Sequence, residues 1–237
     1  MNQRTRMWVA SLVCAALMSL PSLAHEGDEG GGDWEEYNEA ARQAFQAGDY
    51  AQAEQLLMSA LDEAEHECGE QDPRMGTSLN NLAVLYSMQE EYGKAEPLIH
   101  RAIETWEKAL GPEDPQVIQG LSNLAVIYLN QQKYPDAEPV YHRLIAIHEK
   151  KLGREDIAVG KDLYELAEVY RGQKKYSDAE PLYKRTLAIA EKVLGPENLS
   201  VALSLESYAQ ILRQTDRKAE ADKLEARAKS IRAKQTQ

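Results

Sequence analysis

Apolar side chains recur along most of the chain at helical spacing, and the whole pattern returns every 42 residues. Leu82, Leu85 and Tyr86 stand at i, i+3 and i+4, as do Leu124, Ile127 and Tyr128 one period later. That spacing is the stripe of one amphipathic helix face. The block Asn81-Leu82-Ala83-Val84-Leu85-Tyr86 comes back as Asn123-Leu124-Ala125-Val126-Ile127-Tyr128 and as Glu165-Leu166-Ala167-Glu168-Val169-Tyr170. A weakened copy follows as Ser207-Tyr208-Ala209-Gln210-Ile211-Leu212. A second block, Ala53-Glu54, returns as Ala95-Glu96-Pro97, Ala137-Glu138-Pro139 and Ala179-Glu180-Pro181. A fixed period in this range marks a stack of supersecondary units rather than one globular core. Such stacks usually present a surface and rarely do chemistry.

The polar punctuation between the apolar stripes divides each period into two helices. Gly69, Gly111, Gly153 and Gly195 share one position, where glycine can take the left-handed conformation that closes a helix. Three residues on stand Asp72, Asp114, Asp156 and Asn198, all good N-cap residues. Pro73 and Pro115 follow two of them, where a missing N–H costs nothing. A turn near Gln89 to Tyr92 separates the two helices of a unit. Pro97, Pro139 and Pro181 are expected in the opening turn of the second helix, among N–H groups without intrahelical partners. Ala83, Ala125, Ala167 and Ala209 mark places for close helix approach, and Tyr50, Tyr92, Tyr134 and Tyr176 are read as packing between layers.

Ala53, Ala95, Ala137, Ala179 and Ala221, the small residue inside the first helix and the tyrosine ending Leu-Ala-x-x-Tyr resemble the tetratricopeptide repeat. The 42-residue period, with Asn-Leu-Ala-Val-Leu-Tyr, Tyr-x-x-Ala-Glu-Pro-Leu-Tyr and Leu-Gly-Pro-Glu-Asp-Pro, is similar to the kinesin light chain subtype, here in a bacterial exported form. The resemblance implies an all-α fold, a right-handed α-solenoid of tandem antiparallel helix pairs. Four units are expected at 34–75, 76–117, 118–159 and 160–201, followed by a degenerate, capping helix pair at 202–235. Both ends depart from the pattern. Glu39-Ala40-Ala41-Arg42-Gln43-Ala44 replaces the Asn-Leu-Ala block at the start, and Lys218 and Lys223 stand where the tyrosine and proline belong at the end.

In tetratricopeptide solenoids the first helices line a concave groove that is the usual peptide site, and the resemblance carries that site over by repeat position. Asn80, Asn81, Val84 and Met88 fall there from the second unit, and Ser122, Asn123, Val126 and Asn130 from the third. Lys161, Tyr164, Glu165 and Arg171 follow from the fourth, with Glu168 beside them; Arg42, Glu206, Gln210 and Arg213 come from the outer units. Asn81 and Asn123 match asparagines that hold a peptide backbone in kinesin-light-chain-like repeats. An amide offers donor and acceptor together, which suits backbone recognition. Val84 and Val126 are expected to be exposed apolar residues beside them. The arrangement lacks the lysine-and-asparagine clamp some relatives use for a terminal carboxylate. A protein or peptide segment of mixed charge with an apolar anchor is the expected ligand.

Charge and the chain ends narrow the setting. The formal net charge is −12, which argues against broad binding to nucleic acid or anionic lipid. Arg4 and Arg6, the apolar run Met7 to Leu20 and Ser22-Leu23-Ala24 read as a signal peptide over 1–24. The run is shorter than the ~20 residues a membrane-spanning helix needs, so no membrane insertion is expected after cleavage. Residues 25–33 form an acidic, Gly-rich leader. Export places the protein in a periplasm or outside the cell. Cys68 replaces Leu110, Leu152 and Leu194 of the other units, and at a helix C-terminus beside Glu67 and Glu70 it is a poor nucleophile and a packing residue. No catalytic constellation, cofactor loop or metal grouping stands out, so the reading is a non-catalytic scaffold with no cofactor. Self-association through an acidic leader and a basic far end, as a structural assembly module, stays open as the alternative.

Overall fold

The computed structural model describes residues 32–67 and 72–235. The expected signal peptide, nearly all of the leader, Cys68 and Gly69 lie outside the described residues. Among those described there are ten helices and no strand. They are α1 (Gly32–Gln46), α2 (Tyr50–Glu67), α3 (Pro73–Met88), α4 (Tyr92–Leu110), α5 (Pro115–Asn130), α6 (Tyr134–Leu152), α7 (Ile157–Gly172), α8 (Tyr176–Leu194), α9 (Leu199–Gln214) and α10 (Lys218–Lys234). The chain divides into two compact units, residues 1–127 and 128–237, with the boundary inside α5. In the first, α1 packs on α2, α2 on α3 and α3 on α4; in the second, α6 through α10 pack each on the next.

The caps follow the sequence signals. The side chains of Asp72, Asp114, Asp156 and Asn198 accept from the backbone N–H two residues on, at 2.7–2.8 Å, supplying helix-start donors with an acceptor. Gly111, Gly153 and Gly195 close α4, α6 and α8 with φ of 96°, 93° and 88°. Their ψ of 159°, 157° and 153° differs from the expected left-handed helical value. This extended, positive-φ region is essentially reserved for glycine. The left-handed helical turn falls elsewhere, at the end of each first helix. Gly48, Glu90, Gln132, Lys174 and Asp216 all take φ between 58° and 80° there, one period apart, and only the first is glycine.

Two expectations need correction. Pro97, Pro139 and Pro181 lie inside α4, α6 and α8, beyond the four N–H groups that lack intrahelical partners. The helices begin earlier than expected because Tyr92, Tyr134 and Tyr176 are their first residues, not part of the turn. The unit boundaries after 75, 117 and 159 fall in the first turns of α3, α5 and α7, since the Asp caps precede them.

The alanines of both helix types are core residues. Ala83, Ala95, Ala125, Ala137, Ala167, Ala179, Ala209 and Ala221 are fully buried. Gly76 and Gly120 admit Trp106 from opposite sides: a Cβ on Gly76 would lie 2.6 Å from its indole nitrogen, and one on Gly120 3.1 Å from its ring. The indole donates to the Pro73 carbonyl at 3.1 Å, so this buried tryptophan leaves no polar atom unpaired. Neighbouring second helices are tied by Arg–Glu pairs at one repeat position. Arg101 meets Glu65 at 2.7 Å, Arg185 meets Glu149 at 2.5 Å and Arg227 meets Glu191 at 2.6 Å.

Candidate functional site: the first-helix faces

In the first unit the predicted amides form a ladder between first helices. Asn81 Nδ2 donates to Asn38 Oδ1 at 3.2 Å, Asn80 Nδ2 to Asn81 Oδ1 at 3.4 Å and Asn123 Nδ2 to Asn80 Oδ1 at 2.8 Å. The ladder extends outward through Asn38 Nδ2 to the Trp34 carbonyl, and Trp34 Nε1 donates to Ser78 Oγ, both at 2.8 Å. Asn38, Asn80 and Asn81 are buried, at 5%, 3% and 2% exposure. Their amides are committed to one another, as a buried polar group requires. Asn81 therefore ties helices together, in place of the expected peptide contact. Val84 is likewise not exposed: at 3% it is covered by Phe45, Met88 and Val126. These three flanking side chains are partly accessible apolar residues of this face, and Tyr50 packs against Phe45 with the rings tilted and their centroids 5.4 Å apart. Ser122, Asn123 and Asn130 are half-buried on α5; Ser122 Oγ donates to its own helix at Ile118. A shallow pocket between α1, α2 and α3 is lined by Asn38, Arg42, Phe45, Leu57, Asn81 and Leu85.

The second unit uses the same register with different chemistry. Tyr164 and Ser207, which stand at the positions of Asn80 and Asn123, join hydroxyls at 2.9 Å. A long side chain meets a short one where two amides met before. Tyr183 stacks on Tyr208 with centroids 6.2 Å apart and meets Tyr164 edge-on at 6.0 Å. Its hydroxyl donates to Glu168, and Arg171 closes on the same carboxylate. Burial and the Glu168 charge hold the Tyr183 phenol neutral. Asp162, 7% exposed, receives His148 Nδ1 at 2.6 Å; burial raises its carboxyl and the imidazole pulls it back. Glu165 is half-buried, and burial followed by the Glu168 charge pushes its carboxyl up to about 7. Lys161 is exposed and Arg171 half-buried on the same helix.

The outer positions are taken up by the ends of the molecule. Arg42 pairs with Glu39, Glu206 receives Arg232 at 2.6 and 2.9 Å, and Arg213 reaches Asp222 and Glu225 at 2.6 and 2.8 Å. Gln210 is exposed. Below these faces, the tyrosine that ends a first helix donates to the glutamate of Ala-Glu: Tyr86 to Glu54 at 2.6 Å and Tyr170 to Glu138 at 3.2 Å. The last unit has leucine at that position, yet Tyr208, one turn earlier, reaches Glu180 at 2.8 Å. Arg217 joins the same carboxylate and, with Lys184, holds it down at about 2.

Sequence reasoning missed Asn38, Phe45, Asp162, Tyr183 and the pairing of His148. The ladder had a readable signal: its rungs 38–81, 80–123 and 164–207 are each one period plus one residue apart. No spacing pointed to the His148–Asp162 pair. No helix among the described residues is long and apolar enough to cross a membrane. No grouping of three or more His, Cys, Asp or Glu among them could hold a metal ion.

Among solved structures, the fold is similar to a Podosopora anserina protein named for kinesin light chain and nearly identical TPR-like repeats. The TM-score is 0.76 at 23% identity, covering 88% of this chain and 99% of that one. BtubC (BKLC) from P. vanneervenii is similar with a TM-score of 0.77 at 22% identity, over 96% of this chain and 92% of that one. MamA from Desulfovibrio magneticus RS-1 matches with a TM-score of 0.66 at 14% identity, over 86% and 98%. No curated protein matches the sequence. The Tetratricopeptide repeat profile matches residues 37–104, 89–150, 117–192 and 161–234. Together with its tandem helix pairs, this makes the chain a member of the tetratricopeptide repeat family, an all-α solenoid fold generally used as a protein-interaction scaffold.

Proposed function

We propose that the protein is an exported, non-catalytic scaffold that holds a segment of a partner protein against its first-helix faces. The observation that carries this reading is the cluster of Phe45, Met88 and Val126 around Val84. Apolar side chains left partly accessible beside amides suit an extended segment with an apolar anchor. In the first unit the accessible predicted residues are Met88, Ser122, Asn123 and Val126; in the second, taken by itself, they are Asn130, Lys161, Tyr164, Glu165 and Arg171. Export rests on the signal-peptide pattern of residues 1–24, and places the scaffold in a periplasm or outside the cell. The alternative, self-assembly through the acidic leader and the basic far end, rests on a leader that lies almost wholly outside the described residues; a salt- and concentration-dependent polymer in sedimentation would favour it.

Affinity capture from an envelope extract, with wild-type protein and a Met88→Asp/Val126→Asp variant side by side, tests the site. Partners recovered by the wild type and lost by the variant, with both proteins folded by circular dichroism, are the expected result. Equal recovery by both would sink the site assignment. Fractionation of cells making the full chain tests export: the protein should appear outside the cytoplasm, shortened by the signal segment.

A further inference from the structure

We propose that Glu165 receives the cationic head of a lysine or arginine side chain from the partner segment, an assignment that rests on the first-helix face being the partner site. Glu165 occupies the repeat position of Asn81, Asn123 and Ser207. Each of those three spends polar atoms on the first helix of a neighbouring repeat. Glu165 does not: among the described residues no hydrogen bond or ion pair reaches its carboxylate. The other acidic side chains along this stretch of α7 are engaged, Asp162 by His148 and Glu168 by Arg171 and Tyr183. The face therefore holds one uncommitted carboxylate, half-buried, at a place where neutral residues complete the ladder elsewhere.

Its surroundings favour an incoming cation. Glu168 and Asp162 repel the Glu165 charge, and exposed Lys161 alone opposes them. From α6, Tyr141 faces it and stays neutral because of burial, while His148 is turned to Asp162. Tyr164 beside it, Tyr183 from α8 and Tyr208 from α9 are likewise held neutral by burial. An ammonium or guanidinium group would convert a destabilising charge into a charge-assisted hydrogen bond. The acidic balance of the whole chain, −12, complements a basic ligand. Since the free carboxyl sits at about 7, binding a cation would expel a proton. Affinity should then fall about tenfold from pH 8 to pH 6, following the ionised fraction.

A random short-peptide library displayed on phage, panned at about pH 8 against the whole chain and against Glu165→Gln, tests this. The glutamine is isosteric and matches the amides of the other repeats, so the variant keeps its fold. The expected result is enrichment of lysine or arginine at one fixed position on the wild type, absent on the variant, with apolar preferences retained on both. The best wild-type peptide should bind Glu165→Gln at least tenfold more weakly, and the pH dependence should vanish with the carboxylate even though His148 remains. Enriched peptides without a basic residue, or equal affinity for both proteins, would overturn the assignment. If peptides are enriched but do not need Glu165, this assignment fails and the partner face stands. If the wild type enriches nothing, the partner face fails and the assignment falls with it.

Discussion

The two units build one scaffold with opposite polar strategies. On the first helices of unit 1 the ladder runs amide to amide, with Asn38, Asn80 and Asn81 buried. On those of unit 2 it runs hydroxyl to hydroxyl, and carboxylates stand among tyrosines. An amide carries a donor and an acceptor without charge, so amides can be buried in matched pairs. A carboxylate needs a cation or several donors, and Asp162 and Glu168 have them while Glu165 does not. The contrast teaches that one repeat position can be committed to a neighbouring helix in one unit and left uncommitted in another.

The largest expected effect breaks the unit 1 half of that contrast. Asn81→Ala removes the rung to Asn38 and the link from Asn80 and strands both buried partners, so it should cost about 3 kcal/mol, against about 1 kcal/mol for half-buried Asn123→Ala. Urea titrations of the two variants measure this. An unchanged midpoint for Asn81→Ala would mean that the buried amides hold nothing together.

The unit 2 half is sharpened by pH. Glu165 has a folded value near 7, above the usual carboxylate value, so the stability tied to its protonated form is present below about pH 4.5. That stability is lost as pH rises through 7. Glu165→Gln should therefore match the wild type in acid and exceed it by about 2 kcal/mol at pH 8, discounted for partial exposure. A variant less stable than wild type at pH 8 would show that the carboxylate is already satisfied.

Two smaller tests ask whether the scaffold beneath is the same in both units. Asp72→Ala and Asp156→Ala each remove an N-cap and should each cost about 1 kcal/mol. Glu90→Gly and Lys174→Gly relieve side chains held at φ of 61° and 60°, and should each gain about 0.5 kcal/mol net of glycine's entropy. Unequal effects across the units, read by thermal denaturation, would contradict a shared scaffold.

The features that repeat without change were legible. The Asp caps, the closing glycines and the buried alanines each rest on local chemistry within a few residues, and the period multiplies the signal. The half-buried face was legible only in part. Helical periodicity places Val84 on the first-helix face, but its burial depends on Phe45 and Val126 from helices a period away on each side. Asn81 looked like a ligand contact because the amide chemistry for holding a peptide and for holding a neighbouring helix is the same. His148 and Asp162 occur once each, so nothing repeats to announce them. The prolines misled because a helix start was read from the tolerance of the residue, when the tyrosine five places earlier already begins the helix.

The offsets of the ties have a consequence for how such a chain can grow. First-helix rungs join residues 43 apart and second-helix pairs join residues 36 apart, wherever the sequence supplies both partners. A duplication of one whole period inserts a complete donor and acceptor for every tie it interrupts, wherever in the cycle it begins. A duplication that is not a whole number of periods strands both. Length can thus be gained or shed in single 42-residue cassettes without redesigning a junction, which leaves each new copy free to change the few positions that face outward.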